Sequence, residues 1–192
     1  MPELLKSYIL APIPHELREA IAAASLQIKK RAGSSALRWT PDGEICLTLV
    51  SLGDLPASRL AALQPGVTDA CRAFSPLRLR LREALGLPTA TMPKSIGIGV
   101  AGDVEAFLSL RTNLARQFGT EMGTHARPLP PHVEIARLRQ LDDRVRADVS
   151  RAIKSARIGT LGDFTVSSVD LAHSVSSSDG PMLRSLVSIP LG

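Results

Sequence analysis

The chain has 192 residues, of which 44% are hydrophobic and 21% charged, a balance that excludes wholesale disorder. Only 3% of the residues are aromatic, so few side chains can stack on bases, and a general single-strand nucleic-acid binder is disfavoured. The formal net charge of +5 is compatible with phosphate-bearing partners, and two cysteines are too few for a disulfide scaffold.

No stretch of the sequence approaches the length of a membrane-spanning helix. Pro12 and Pro14 interrupt the apolar N-terminus before it is long enough for the core of a signal peptide. We therefore expect a cytoplasmic protein without membrane association. The sequence gives no reason to infer an obligate protein partner, and we expect a monomer.

The first half of the chain alternates between strand and helix patterns. Pro65-Gly66 interrupts the second helical pattern, which predicts a kink or two short helices. The predicted elements are a strand over 7–13, a helix over 14–32, a connector over 36–44, a strand over 44–51, helical segments over 55–74 and a strand over 76–85.

The second half repeats this order after a turn-rich loop over 86–93. Asp103 stands where a helix N-cap is expected. The predicted elements are a strand over 94–101, a helix over 103–119, a strand over 131–138, a helix over 142–156 and strands over 163–175 and 183–191. Because both halves combine strands with helices and no linker separates them, the sequence predicts an α+β fold of two similar lobes in a single domain over 1–192.

Arg78, Arg80 and Arg82 occupy alternate positions of the strand over 76–85 and therefore share one of its faces. This face is either an ordinary solvated sheet surface or a basic wall beside a cleft. The sequence leaves both interpretations open.

The strand over 44–51 carries unusual side chains on its polar face. Because strand side chains alternate, Leu47 and Leu49 point to one side, and Cys46 and Thr48 point to the other. A solvated edge more commonly carries Lys, Glu or Arg than a thiol and a hydroxyl. These small reactive groups indicate a face that lines a core or a cleft.

The strand over 131–138 repeats the pattern. His132 and Glu134 share one face, and Val133 and Ile135 share the other. A single strand histidine is usually structural. The repetition of the pattern at equivalent points of two lobes is what indicates a shared site.

At these two strands the sequence resembles the two-histidine phosphoesterase superfamily, and specifically the bacterial RNA 2',3'-cyclic phosphodiesterases, also called 2'-5' RNA ligases. The resemblance is carried by "WTPDGEICLTLVSLGDL", "RPLPPHVEIARL", "SIGIGV" and "GPMLRSLVSIPL", and it spans nearly the whole chain. It implies two lobes, each an antiparallel sheet packed by helices, with a central cleft between them. It also implies a substrate of RNA or a nucleotide with a cyclic phosphate, and no cofactor.

In that superfamily each lobe contributes a strand with the order histidine, apolar residue, threonine or serine, apolar residue. One histidine acts as general base, the other protonates the leaving oxygen, and the two hydroxyls hold the phosphate. Here His132 and Thr48 match, whereas Cys46 replaces the first histidine and Glu134 replaces the second threonine. The resemblance therefore implies His132 and Cys46 as catalytic residues, with Cys46 a weak substitute, and Thr48, Glu134 and Arg137 as substrate-binding residues.

Glu134 conflicts with a bound phosphodiester, because two negative charges about 4 Å apart repel by roughly 4 kcal/mol at a surface-like dielectric. Protonation, a contact with a nearby arginine or a neutralising cation would remove the conflict. Arg127 and Arg137 are the nearest arginines in sequence. Strand alternation, however, places Arg137 on the face opposite to His132 unless the strand bends.

Three functions remain open. The first is a cyclic phosphodiesterase with impaired or altered activity, and the second is a catalytically inactive protein that binds RNA or nucleotides for regulation. The third is a metal-assisted hydrolase, because Cys46, His132 and Glu134 are all possible zinc ligands. A thiolate nucleophile at Cys46, paired with His132, is a further hypothesis.

The other histidines are His15, His125 and His173, which we interpret as surface or packing residues. His125 precedes the second reactive strand in a predicted loop. Such a loop often forms the rim of a cleft.

Overall fold

The computed structural model describes residues 3–32, 37–118, 129–178 and 180–192. The strands in these ranges are β1 (Leu5–Ala11), β2 (Leu37–Trp39), β3 (Leu47–Leu55), β4 (Leu77–Leu87), β5 (Ser95–Gly102), β6 (His132–Leu138), β7 (Thr160–Val166), β8 (Ser168–Ser177) and β9 (Gly180–Pro190). The helices are α1 (His15–Ala32), α2 (Ala57–Ala61), α3 (Gln64–Cys71), α4 (Val104–Phe118) and α5 (Asp143–Ala156).

The strands form two antiparallel sheets, which confirms the α+β prediction. The four-stranded sheet has the order β3-β1-β8-β9, and the five-stranded sheet has the order β2-β6-β5-β4-β7. The lobes are not the two halves of the chain, because the C-terminal hairpin of β8 and β9 joins the N-terminal β1. Local patterns show which residues form strands, whereas the choice of partner strand depends on packing across the molecule.

The helices connect the two sheets into one packed core. α1 and α5 pack against each other beside β4 and β7, and α4 contacts both β3 and β4. The apolar face that helical spacing marks in α1 is buried, and it consists of Leu17, Ile21, Ala24 and Ile28. None of the helices in the described ranges is both long enough and apolar enough to cross a membrane.

Several predicted boundaries differ from the structure. The helical segment over 55–74 is indeed two short helices, α2 and α3, with Pro65 in the first turn of α3. The single strand predicted over 163–175 is wrong, because these residues belong to β7 and β8, which lie in different sheets. The alternation shifts by one residue at Ser167 and Ser168, because Phe164 and Val166 are buried before them and Val169 and Leu171 after them. This shift marks the change of sheet. The predicted connector over 36–44 contains β2, whose three residues are too few to show alternation.

The arginine row of β4 lies on a solvated surface. Arg80 forms an ion pair with Asp163 on the adjacent β7, and Arg82 forms one with Glu83. All four of these side chains are at least half exposed. The structure therefore supports the interpretation of an ordinary solvated sheet face.

Gly102 ends β5 with a positive φ of 98°. A Cβ at this position would collide with the backbone carbonyl oxygen of Arg78 on β4. We expect Gly102→Ala to lower the free energy of unfolding by about 2–3 kcal/mol, because alanine is strained in this backbone conformation and a strand carbonyl cannot move aside. Urea denaturation measures the change.

Gly159→Ala is the matched control, since a Cβ on Gly159 would meet no atom within 4 Å. We expect its unfolding free energy to stay within about 0.5 kcal/mol of the parent value. Equal stability of the two variants would contradict the assignment of strain at Gly102.

Candidate active site

The two reactive strands border one cleft of about 790 Å³. Cys46, the residue just before β3, and Thr48 of β3 line it from one side. His132 and Glu134 of β6 line it from the other. Arg137 of β6 also lines the cleft. The structure therefore brings all five predicted site residues into a single hollow, between a strand of the four-stranded sheet and a strand of the five-stranded sheet.

Burial of the opposite strand faces holds these side chains in place. Leu47 and Leu49 of β3 are 0% and 3% exposed, and Val133 and Ile135 of β6 are 0% and 1% exposed. Because side chains alternate, the neighbouring polar residues must point to the cleft.

A β-bulge in β6 brings Arg137 to the cleft face. Ile96 of β5 pairs with Ala136, whereas the next residue, Gly97, pairs with Glu134, so Ile135 is an extra residue in β6. Ile135 and Ala136 are consecutive and both buried. Beyond the bulge the alternation is reversed, which removes the predicted conflict between Arg137 and His132.

Glu134 forms an ion pair with Arg137. The Nε of Arg137 donates a hydrogen bond to Oε1 of Glu134 over 2.6 Å. The Glu134 carboxylate raises the pKa of Arg137, chiefly through this hydrogen bond. Of the ways to relieve repulsion between Glu134 and a phosphate, contact with a nearby arginine is the one observed.

The His132 ring has a defined tautomer. Its Nδ1 lies 2.8 Å from the backbone carbonyl oxygen of Pro130, and because a carbonyl can only accept, Nδ1 carries the hydrogen. Burial lowers the pKa of His132, and Arg111 and Arg137 lower it as well, whereas the Pro130 hydrogen bond and Glu134 raise it. The imidazole is therefore neutral at neutral pH, and Nε2 has the lone pair that can accept a proton.

The imidazole needs the space that Gly97 leaves. A Cβ on Gly97 would lie 2.8 Å from Cδ2 and 3.0 Å from Cβ of His132. Gly97 and Gly99 of β5 pair with Glu134 and His132, respectively. The glycines of "SIGIGV" thus allow the polar side chains of β6 to lie across the neighbouring strand.

Cys46 is a neutral thiol in this environment. Burial raises its pKa to about 11, Glu44 and Glu134 raise it too, and the contact with Thr48 lowers it. The Sγ lies 3.5 Å from Oγ1 of Thr48. A thiol with this pKa remains protonated near pH 7, which disfavours the hypothesis of a thiolate nucleophile.

The geometry gives no support to the metal hypothesis. Across residues 3–32, 37–118, 129–178 and 180–192, no group of three or more His, Cys, Asp or Glu side chains could hold a metal ion. This applies to Cys46, His132 and Glu134, whose carboxylate is engaged by Arg137.

Sequence analysis missed several polar side chains of the cleft. They are Lys6, Tyr8, Arg38, Glu44, Asp54 and Arg111. Glu44 accepts a hydrogen bond from Ser174 of β8 over 2.6 Å, and Arg111 of α4 donates one to the carbonyl of Leu129 over 3.0 Å. These residues come from five different elements or loops, so no local motif could have gathered them.

Two residues of the cleft could have been noticed from the amino-acid composition alone. Tyr8 is the only tyrosine of the chain, and Trp39 is the only tryptophan. Both line the cleft. Burial raises the pKa of Tyr8, and Glu44 and Cys46 raise it further.

Of the remaining candidates, the two that lie within the described residues do not line the cleft. Arg127 and His125 lie outside the described residues. His15 is exposed on α1, with its Nε2 3.6 Å from the carboxylate of Glu19. His173 is buried in β8 and does not line the cleft, as expected for a packing residue.

The chain is similar to a protein named as a phosphodiesterase and to several solved structures. The chain is 22% identical over 179 residues to the RNA 2',3'-cyclic phosphodiesterase of Methanothermobacter thermautotrophicus, covering 93% of this chain and 94% of that protein. No family model matches the chain.

Among solved structures, TT0787 of Thermus thermophilus is 22% identical, with 97% of each chain covered and a TM-score of 0.70. E. coli LigT complexed with 3'-AMP is 19% identical, with 98% of this chain and 99% of that chain covered and a TM-score of 0.69. The chain has the two-lobed fold of these proteins, and the resemblance to the two-histidine phosphoesterases is confirmed at the level of the fold.

The Glu134 carboxylate raises the pKa of both His132 and Cys46. We therefore expect both pKa values to fall in Glu134→Gln, and the freed Arg137 acts in the same direction. An NMR titration of the His132 ring, assigned with His132→Ala, measures the first value. The pH dependence of alkylation in a Cys71→Ala background measures the second.

Glu105→Gln removes an exposed carboxylate from α4, away from the cleft, and is the control. Its two titration midpoints should equal those of the parent. If Glu134→Gln leaves the His132 midpoint where it was, the electrostatic coupling between these two side chains is wrong.

Proposed function

We propose that the protein is a phosphodiesterase that hydrolyses 2',3'-cyclic phosphate ends of RNA with an altered pair of catalytic residues. The observation that carries this proposal is the convergence of Cys46 and Thr48 with His132 in one cleft. The similarity to a protein named RNA 2',3'-cyclic phosphodiesterase, and to LigT complexed with 3'-AMP, supports it. A cleft of about 790 Å³ lies within the range of small-molecule sites.

In this proposal Nε2 of His132 accepts a proton from water while the water oxygen forms a bond to phosphorus. The bond between phosphorus and one ribose oxygen breaks, and that oxygen takes the thiol proton of Cys46. The Thr48 hydroxyl donates a hydrogen bond to a phosphoryl oxygen as negative charge develops there. The proton on His132 then returns to the Cys46 thiolate through water, so both side chains regain their starting states.

In the altered pair, each side chain is suited to only one of the two proton-transfer roles. A neutral imidazole with a lowered pKa can accept a proton, whereas a thiol with a pKa of about 11 can only donate one near neutral pH. A ribose hydroxyl is a weaker acid than this thiol, so donation to the leaving oxygen is downhill. Glu134 serves the site by holding Arg137 rather than by contacting the phosphate.

We also propose that residues 1–192 act as a single two-lobed unit, a monomer, in the cytoplasm. The interleaving of chain segments between the two sheets supports the single unit, since neither sheet is built from one continuous stretch. Size-exclusion chromatography with light scattering tests the monomer.

A binding protein without turnover is the second candidate. Two of the four motif positions differ from the superfamily pattern, and burial raises the pKa of the thiol at one of them. Such a protein would retain nucleotide affinity through Thr48 and the cleft arginines. Binding without product formation would distinguish it from the enzyme.

The two pKa shifts predict an unusual pH profile for hydrolysis of an oligonucleotide that ends in a 2',3'-cyclic phosphate. We expect kcat/KM to rise through the pKa of His132, which lies below the usual 6.5, and then to stay level until Cys46 loses its proton near pH 11. Below the first pKa the imidazole cannot accept a proton, and above the second the thiolate cannot donate one.

Kinetics of two variants test the assigned roles. His132→Ala and Cys46→Ala should each lower kcat by about 10²–10⁴, whereas Cys71→Ala, which alters the buried thiol of α3, should retain the parent profile. A descending limb at roughly pH 7–9 would refute the role of Cys46. Turnover that His132→Ala does not change would refute the whole proposal.

The double variant Cys46→His with Glu134→Thr restores the superfamily pattern. We expect kcat to rise by about 10²-fold, because a second imidazole titrates near neutral pH, and the pH profile to become bell-shaped. Product formation from the cyclic-phosphate oligonucleotide measures the gain. A folded but inert double variant would mean that more than these two motif positions separates the chain from an active phosphodiesterase.

A further inference from the structure

Lys6 and Asp54 stand opposite each other on the cleft side of the four-stranded sheet. They are direct cross-strand partners on β1 and β3, both line the cleft, and both are exposed. Neither charged group forms a hydrogen bond or an ion pair with any residue that the structure describes. Arg80 and Asp163, an oppositely charged pair in the other sheet, do form an ion pair. The charges of Lys6 and Asp54 are therefore available to a ligand.

A bulge in β3 turns Asp54 toward the cleft. The register between β1 and β3 shifts after Ser51, so that Leu52 is an extra residue of β3. Gly53, which follows it, has a φ of 74°, a conformation that favours glycine and is typical of bulges. Without the extra residue, strand alternation would place Asp54 on the face opposite to Ser51. Bulges commonly re-aim a side chain next to a functional site.

Three cross-strand pairs of β1 and β3 follow one another along this face. They are Leu10 with Thr48, Tyr8 with Ser51, and Lys6 with Asp54. The first and last pairs are four residues apart on β1, about 13 Å along the strand. This order suits a nucleotide whose phosphate lies at Thr48, because its base would then lie over Tyr8 and point its outer edge toward Lys6 and Asp54.

Tyr8 provides a flat aromatic surface in the middle of this series. It is the only tyrosine of the chain, it is half-buried, and it lines the cleft. Burial raises the pKa of Tyr8 most, and Asp54 is among the acidic groups that raise it further, so this carboxylate lies near the ring. Single-stranded RNA is commonly recognised by stacking a base on such a ring and by hydrogen bonds to the edge of the base.

The two charged groups are complementary to the Watson–Crick edge of guanine. A carboxylate has two oxygens that accept hydrogen bonds, and an ammonium group only donates them. Guanine presents two adjacent donors, N1–H and the N2 amino group, beside the acceptor O6. Adenine, cytosine and uracil each offer only one donor group on this edge. Guanine is therefore the base that satisfies both oxygens of a carboxylate and an ammonium group together.

We propose that Lys6 and Asp54 select a guanosine at the cyclic-phosphate end of the substrate. Asp54 accepts hydrogen bonds from N1–H and N2–H of the base, Lys6 donates one to O6, and Tyr8 stacks on the ring system. This inference rests on the proposed function for the identity of the reacting phosphate, and it adds the nucleoside that carries that phosphate.

The test compares guanosine 2',3'-cyclic phosphate with adenosine 2',3'-cyclic phosphate as substrates. We expect kcat/KM to be at least about tenfold higher for the guanosine substrate, because the adenine edge leaves one carboxylate oxygen without a donor. In Asp54→Asn the ratio should fall to near one. Tyr8→Phe keeps the aromatic ring and should retain the ratio. Glu16→Gln, which removes an exposed carboxylate of α1 away from the cleft, is the matched control and should retain it as well.

Binding measurements separate failure of the base selection from failure of the proposed function. The probes are guanosine and adenosine 3'-monophosphates, and the readout is isothermal titration calorimetry with the parent and Asp54→Asn. Equal affinities in the parent, no binding of either probe, or a preference that Asp54→Asn leaves intact would overturn the base selection. A guanosine preference that depends on Asp54, without hydrolysis of either cyclic nucleotide, would support it and refute the enzyme. Equal turnover of the two cyclic nucleotides would support the enzyme and refute the base selection.

Discussion

The site depends on the register of two strands, each of which has one face buried in the core. Leu47 and Leu49 on β3, and Val133 on β6, are withdrawn from solvent almost completely. A slip of one residue in either strand would expose them and bury a thiol, an imidazole or a carboxylate instead. Burial of the apolar faces therefore determines which way the polar side chains point.

A second constraint is the bulge at Ile135, which reverses the alternation of β6 partway along the strand. It allows one strand to present His132 and Glu134 before the bulge and Arg137 after it, all on the same face. Arg137 contacts the Glu134 carboxylate over 2.6 Å, so the charge of Glu134 does not face the cleft unopposed. Without the bulge, Arg137 would point away from the cleft and Glu134 would lack this partner.

In the proposed function, a thiol at the position of one superfamily imidazole changes which proton transfers the site can perform. Two imidazoles can exchange the roles of acid and base near neutral pH, whereas Cys46 and His132 have pKa values displaced in opposite directions. In the proposed mechanism the acid and base roles of the pair are therefore fixed: His132 accepts a proton and Cys46 donates one. Two carboxylates, Glu44 and Glu134, reinforce this by raising the pKa of the thiol.

The sequence alone was sufficient for the two reactive strands, the buried face of α1 and the α+β class, because each follows from the spacing of apolar residues over a short window. The resemblance carried by "CLTL" and "HVEI" was sufficient to join Cys46 to His132. It also implied Arg137 as a binding residue, whereas strand alternation by itself pointed that side chain away from His132.

Tertiary structure decided which strands pair, and therefore that the lobes interleave rather than follow the halves of the chain. It also decided that Tyr8, Arg38 and Arg111, which are far apart in sequence, share the cleft with the motif residues. A local pattern predicts which face of a strand is buried, but it does not predict which other strand pairs with it. Neighbours are selected by the packing of the whole core, which brings distant segments together only when the chain has folded.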